Sequence, residues 1–349
     1  MRHDWFVAAV LGVSMLAIAQ QPPRVINAQF HTEPAGAGLS ATVGRFQRAS
    51  GPQWLGYEVP ALPRSHFSVC SGDTESSDDG CCGVYRLEDE NDTWRNSDDG
   101  TPAVETNIDI LVRFDQGAVD KIRFVGSGCR LDAGGLPFVW LTGVQPDDSV
   151  SWLSSLITAD RSHVTDGALV AIAMHETSKA TTALIGFSSS ASPLWLREKA
   201  CFWLGAGRGH DGLLALEKLA GDADPEFRKK LVFDFSVNHD PAAVDDMIHM
   251  AKSDADTEVR GQAIFWLGQK DSAKAIASIK NALQNDPEEA VKKKAVFALS
   301  QLPKDQAVPE LLHVAQTNSD PVVRKEAIFW LGQTRDPRAL AYFEQILER

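Results

Sequence analysis

The sequence predicts an α+β multidomain chain: a small, mostly-β N-terminal domain followed by an all-α solenoid of about six helix-pair repeats. Two observations carry that prediction. The first is a ten-residue pattern that recurs: VRGQAIFWLG runs from Val259 to Gly268, VRKEAIFWLG from Val323, VKKKAVFALS from Val291, FRKKLVFDFS from Phe227 and LREKACFWLG from Leu196. A degenerate copy, VTDGALVAIA, starts at Val164, so the starts are spaced 32, 31, 32, 32 and 32 residues. A near-constant period of this length marks a stack of supersecondary units. The second is that this period is absent before residue 150, where runs rich in β-branched and aromatic residues lie between Gly, Pro and Asp.

From the N-terminus, Trp5 to Ala19 form an apolar run that ends in Ala17-Ile18-Ala19. A run this short before an Ala-x-Ala site reads as a signal peptide over residues 1–19, with a retained N-terminal anchor as the rival. A membrane span needs roughly 20 apolar residues, so no integral span is expected in the mature chain. The expected location is secreted or periplasmic. The formal charge of −13 survives removal of residues 1–19, because Arg2 and Asp4 cancel. That balance argues against nucleic acid as a partner.

The N-terminal domain is expected over residues 24–150, with strands at 54–59, 108–114, 119–125 and 138–141, and a hairpin turn at Asp115-Gln-Gly-Ala. Four cysteines fall here: Cys70, Cys81, Cys82 and Cys129. An even count in an exported domain predicts two disulfides, their connectivity open. The rival Zn site lacks a Cys-x-x-Cys or a nearby His pair. Cys201 stands apart, as a small buried side chain of a repeat helix. Residues 70–100 hold ten acids against two arginines, a net of −8. The loops at 73–80 and 91–100 lack the ligand spacing of a 12-residue calcium loop, so they read as solvated.

The solenoid is expected over residues 151–349. In the fourth copy Val259, Ala263, Trp266 and Leu267 fall within a ~100° arc, the apolar stripe of a packed helix. Asp224, Asp256, Asp286 and Asp320 stand before these helices as caps, three of them followed by Pro. Gly205, Gly268 and Gly332 are expected to close the helices. A second helix follows each time, as at 275–283, 307–315 and 338–347, and the last should cap the stack.

Asp-Pro-x-Val-Arg, an Ala- and Leu-patterned helix, Gly and a second helix together resemble the HEAT-like repeats of the phycobilisome-lyase type, over about 190 residues. The resemblance implies a right-handed superhelix of helix pairs with an extended groove. It also implies an inter-repeat ladder, in which Arg197, Arg228, Arg260 and Arg324, with Lys292, pair with the capping Asp residues. The deoxyhypusine hydroxylases are similar in pattern and bind iron through His-Glu pairs placed just after that Arg. Here those positions read Asp166-Gly167, Glu198-Lys199, Lys229-Lys230, Gly261-Gln262, Lys293-Lys294 and Lys325-Glu326. A redox iron needs imidazole and carboxylate, so the carry-over fails. The bilin lyases, a second similar branch, are intracellular, which a signal peptide contradicts. Hydrolase and phosphate-loop motifs are missing.

The reading is therefore an exported, non-enzymatic interaction or scaffold protein with no cofactor, no metal and no catalytic residue. The alternative is an enzyme with its site in the N-terminal domain and the solenoid as substrate platform. One column lies outside the repeat's packing needs: Phe202, Phe233, Phe265, Phe297 and Phe329. Phe265 sits ~150° from the centre of its apolar arc. Lysines edge it, among them Lys230, Lys293 and Lys294, six positive against three negative charges over the two columns one turn earlier. Three readings stand: a groove for an acidic or extended protein partner, packing between repeats, or docking of the −8 loops.

Overall fold

The computed structural model describes residues 22–36, 38–62, 84–89, 106–127, 129–270 and 272–348. The signal-peptide segment, Cys70, Cys81, Cys82 and both acidic loops lie outside the described residues. The N-terminal part runs β1 (Arg24–Ile26), β2 (Gln29–Pro34), α1 (Leu39–Phe46), β3 (Gln53–Pro60), β4 (Val84–Arg86), β5 (Asn107–Asp115), β6 (Ala118–Gly126), β7 (Arg130–Asp132), β8 (Pro137–Thr142) and α2 (Pro146–Ser155).

Five strands form a mixed sheet in the order β2-β8-β3-β5-β6. The expected hairpin is β5–β6, antiparallel, and its turn residues Gln116 and Gly117 take positive φ, 48° and 79°, as a two-residue hairpin turn requires. The parallel pairs β2–β8 and β3–β8 were not foreseen. The sheet is buried on both faces. Trp54, Leu111, Val125, Phe138 and Trp140 pack with Leu87, Cys129 and Leu131 under a small sheet, β1-β7-β4. Tyr57, Ile110, Val112, Phe114 and Leu141 face the helices, within one apolar core that continues into the solenoid.

Six helix pairs follow: α3 (His163–Met174) and α4 (Ser178–Phe187), α5 (Leu194–Gly207) and α6 (Gly209–Glu217), α7 (Pro225–Val237) and α8 (Ala243–Ser253), α9 (Thr257–Leu267) and α10 (Ala273–Asn285), α11 (Glu289–Ser300) and α12 (Lys304–Thr317), α13 (Pro321–Thr334) and α14 (Pro337–Leu347). Successive first helices from α5 to α13 pack on one another, and α3 packs on β6. The sheet thus closes the N-terminal end of the stack. On α14, Leu340, Ile346 and Leu347 are exposed.

A buried ladder ties the repeats together, and its carboxylates are not the expected ones. Asp224, Asp256 and Asp320 only cap their helices, each accepting from the N–H two residues on. Asp286 is no cap, since Glu288 holds that position in α11. The arginines instead reach the residue two before each cap. Arg197 bonds Asp222 at 2.5 Å, Arg228 grips Asp254 through two bonds of 2.8 Å, and Arg260 grips Asp286 at 2.8 and 3.2 Å. Arg228 and Arg260 also donate to the carbonyls of Asp222 and Asp254, at 2.7 and 3.0 Å. Each of these two guanidiniums therefore clamps its own turn to the next. Arg324 donates only to the Asn318 and Ser319 carbonyls and makes no ion pair among the described residues.

Of the three glycines expected to close helices, only Gly268 stands at a helix end. Gly205 and Gly332 lie inside α5 and α13, and Gly268 ends α9 in right-handed geometry, φ −63°. At Gly205 and Gly268 the role is proximity. A Cβ on Gly205 would fall into the Asp234 carbonyl of α7, and one on Gly268 would stand 2.9 Å from the Ala298 Cβ of α11. Nothing lies within 4 Å of such a Cβ at Gly332.

Two stability measurements check these assignments. Gly205→Ala should destabilise by about 2 kcal/mol through overpacking, whereas Gly332→Ala should be neutral or gain up to about 1 kcal/mol of helix propensity. Arg260→Ala strands the buried Asp286 carboxylate and should cost about 3 kcal/mol. Arg324→Ala, which strands no carboxylate, should cost under about 1.5 kcal/mol; chemical denaturation of the four variants reads all of this.

Candidate interaction face

The phenylalanine column stands on the first helices and is half-buried at Phe202, Phe233, Phe265 and Phe297, with Phe329 54% exposed. The rings form one continuous spine across α5, α7, α9, α11 and α13. Phe202 stacks on Phe233, with centroids 6.1 Å apart and planes 9° apart, and Phe265 stacks on Phe297 at 5.9 Å and 3°. Trp266 joins the two stacks, 4.9 Å from Phe233 and edge-on to Phe265 at 5.0 Å. Trp330 extends the spine, 4.9 Å from Phe297 and 5.1 Å from Phe329. The spine is thus packed between repeats, with its first four phenylalanines partly buried and only Phe329 among the five exposed.

The tryptophans belong to this face and were missed there, because Trp266 was assigned wholly to the buried arc. The signal was present: the residue after each Phe reads Trp203, Asp234, Trp266, Ala298, Trp330. Large and small side chains alternate, and each small one leaves room for the tight Gly205–Asp234 and Gly268–Ala298 approaches. Asp234 itself is 4% exposed, and burial, reinforced by Glu198, holds its carboxyl well above the usual carboxylate range.

The expected basic edge is largely neutralised. Lys199 pairs with Asp166 at 2.6 Å, Lys230 with Glu198 at 2.6 Å, Lys229 with Glu226 at 2.7 Å and Lys293 with Glu289 at 2.7 Å. Lys294 lays its stem beside Gly261. Glu226 and Glu289 reduce the expected excess of three positive charges to one. The face offers apolar, aromatic surface with a nearly balanced rim.

Two other places could carry chemistry. A cleft of about 640 Å³ lies between α6 and α8, lined by Glu217, Asp246, His249 and Met250 above Arg228 and Asp254. Burial, with Glu217 and Asp245 nearby, lifts the Asp246 carboxyl to about 6. Among the described residues, no three His, Cys, Asp or Glu side chains are grouped to hold a metal ion. The second place joins the sheet to the solenoid. Tyr57 Oη lies 2.8 Å from Ser149 Oγ, which lies 2.8 Å from His175 Nε2, and His175 Nδ1 lies 2.6 Å from the Ala171 carbonyl. Nδ1 donates to that carbonyl, so Nε2 accepts from Ser149 and Tyr57 donates to Ser149. Arg208 donates to the Ile172, Ala173 and His175 carbonyls and covers the end of α3. His175 is fully buried with both ring nitrogens engaged, which makes it a structural joint.

Burial, with Arg208 adding to it, lowers His175 from 6.5 to about 4. The unfolded chain therefore binds a proton that the folded chain refuses. The joint's full contribution is present above pH 6.5 and is lost as pH falls toward 4. Up to about 3 kcal/mol should disappear over that window, and a Tm-against-pH curve should be shallower there in His175→Asn than in the wild type.

Residues 244–329 and 276–349 match the family described as HEAT repeats. No curated protein sequence matches the chain. Among solved structures, the complex of CpcE and CpcF of phycocyanin lyase from Nostoc sp. PCC7120 is similar at 20% identity and TM-score 0.33, over 43% of this chain and 97% of that one. Human deoxyhypusine hydroxylase in complex with glycerol is similar at 17% identity and TM-score 0.31, over 57% of this chain and 90% of that one. No helix among the described residues is long and apolar enough to cross a membrane. The chain thus carries HEAT repeats over residues 244–349, at the C-terminal end of a helix-pair solenoid that begins at residue 163.

Proposed function

We propose that this protein is a non-enzymatic scaffold that binds another protein along the spine from Phe202 to Phe329. The carrying observation is the continuity of that spine, seven linked rings over five repeats that end on the exposed Phe329. Large, partly buried aromatics with fixed geometry are common anchors of protein recognition, since they bury much area for little entropy. A period of about one ring per repeat suits an extended segment with spaced apolar side chains better than a compact acidic one. Affinity capture with the mature protein, read by mass spectrometry, tests the proposal. Phe265→Ser combined with Phe297→Ser should weaken capture at least tenfold, that is by roughly 1.4 kcal/mol or more. Phe329→Ser should weaken it while leaving Tm unchanged. Capture retained by folded forms of both variants would sink the reading.

The proposal includes export through residues 1–19 and two disulfides among Cys70, Cys81, Cys82 and Cys129. In support, Cys129 is disulfide-bonded, while Cys201 is free and buried. Burial pushes the Cys201 thiol far above its usual range, which suits an inert core position. Thiol counting on the denatured, unreduced chain should find one free thiol. Four or five would contradict the disulfides.

A further inference from the structure

The cleft between α6 and α8 exists because α6 is short. It stops at Glu217 after nine residues, whereas α8 and α10 run for 11 and 13. The chain then reaches α7 through turns, with Leu219, Ala220 and Asp222 each donating to the carbonyl three residues back. The C-terminal half of α8 faces those turns across the gap. Asp246, His249, Met250 and Ser253 share one stripe of α8 by their i, i+3, i+4, i+7 spacing, and all four line the cleft. The volume, about 640 Å³, lies in the range of small-molecule sites, roughly 300–1,000 Å³.

The lining is apolar along its middle, at Ala220, Ala223 and Met250, and its charge is one-sided. Four carboxylates, Glu217, Asp222, Asp246 and Asp254, stand against one guanidinium, Arg228. Arg228 holds Asp254, and Arg197 holds Asp222 from outside the cleft, which leaves a net of −2 on Glu217 and Asp246. Asp246 is unsatisfied as well as unpaired, since its Oδ2 is shut from solvent without a hydrogen-bond donor. A carboxylate left so is costly unless a donor reaches it. Glu217 stands close enough to lift the Asp246 carboxyl, so a cation between the two relieves their repulsion. A metal ion does not suit the place, because no three ligating side chains are grouped among the described residues. An ammonium head suits it better: its three donors meet two carboxylates and, when the ring is neutral, a nitrogen of His249. From Asp246 to Ser253 the stripe runs about 10 Å, which leaves room for an aliphatic stem beside Met250.

We propose that this cleft binds a primary ammonium group on an aliphatic stem, with its head between Glu217 and Asp246 and its stem along Met250. The source is a free amine or a lysine side chain of another protein. The site uses no residue of the aromatic spine, so its failure leaves the proposed partner surface untouched. Titration of the full chain with pentylammonium, read by the methyl NMR signal of Met250, tests it. A saturable shift is expected, with Kd of about 1 mM, and none with 1-pentanol, which keeps the stem without the charge. Asp246→Asn and Glu217→Gln should each weaken binding, the first at least tenfold. Because Asp246 has no donor to lose, Asp246→Asn should leave Tm unchanged or raise it. Glu217, Asp245 and Asp240 promote protonation of Asp246 and His249 opposes it, while Lys274 of α10 is paired with Asp245 and Arg228 of α7 with Asp254. With that carboxyl at about 6, affinity should be about tenfold lower at pH 5 than at pH 7.5. Nα-acetyllysine methylamide binding as tightly as pentylammonium would assign the site to a protein's lysine, and weaker binding to a free amine. No saturable shift with either probe by about 50 mM, equal binding of 1-pentanol, or wild-type affinity in Asp246→Asn would each overturn the proposal.

Discussion

The bidentate grip of one repeat's arginine on the next repeat's aspartate is the constraint on which the rest of the stack depends. Helix pairs held by apolar contact alone can slide, because dispersion has no direction. Arg228 and Arg260 remove that freedom. Each planar guanidinium holds the carbonyl of its own turn on one side and two carboxylate oxygens of the following turn on the other. The fork geometry tolerates little displacement, so two successive turns are fixed in both distance and angle. Such buried pairs add little net stability over an apolar substitute. Their effect is on register.

Fixed register explains why the aromatic spine is continuous. Stacked rings 5.9–6.1 Å apart with planes within 9° require each Phe to arrive at the same height on its helix. The ladder sets that height, and the glycines set the lateral distance by letting α5 meet α7, and α9 meet α11, without a Cβ between them. Alternation of Trp with Asp234 and Ala298 then fills every second gap. The ring positions are therefore fixed within the stack, and for the proposed binding along this face that fixed geometry lowers the ordering cost.

Much of this was legible in the sequence and some was not, for identifiable reasons. The period, the first helices, the β5–β6 hairpin and the Phe column follow from local spacing, and local spacing is what a single chain displays. Asp222 and Asp254 were obscure because each stands two residues from a better-known signal, the capping Asp224 or Asp256, and either could answer an arginine on composition alone. The glycines matched the terminal signal in sequence yet serve a contact with another repeat. The pairings of β2 and β8, and the joint of Tyr57, Ser149 and His175, unite segments more than 25 residues apart. No local pattern encodes them. The lysine-rich columns misled because Glu226 and Glu289, which neutralise Lys229 and Lys293, sit one turn outside the columns that were counted.

The junction of the sheet with the first helix pair decides which surface of the solenoid is covered. A solenoid with equivalent open ends invites head-to-tail growth, since each end fits the other and the rotation need not close. Here the sheet covers the first end. Gly167 of α3 brings its backbone against Ile122 of β6, where an added Cβ would stand 3.1 Å from the Ile122 Cβ. His175, Ser149 and Tyr57 lock the same junction from within. The β-rich part thus covers the α3 side of the solenoid, through the packing of α3 on β6.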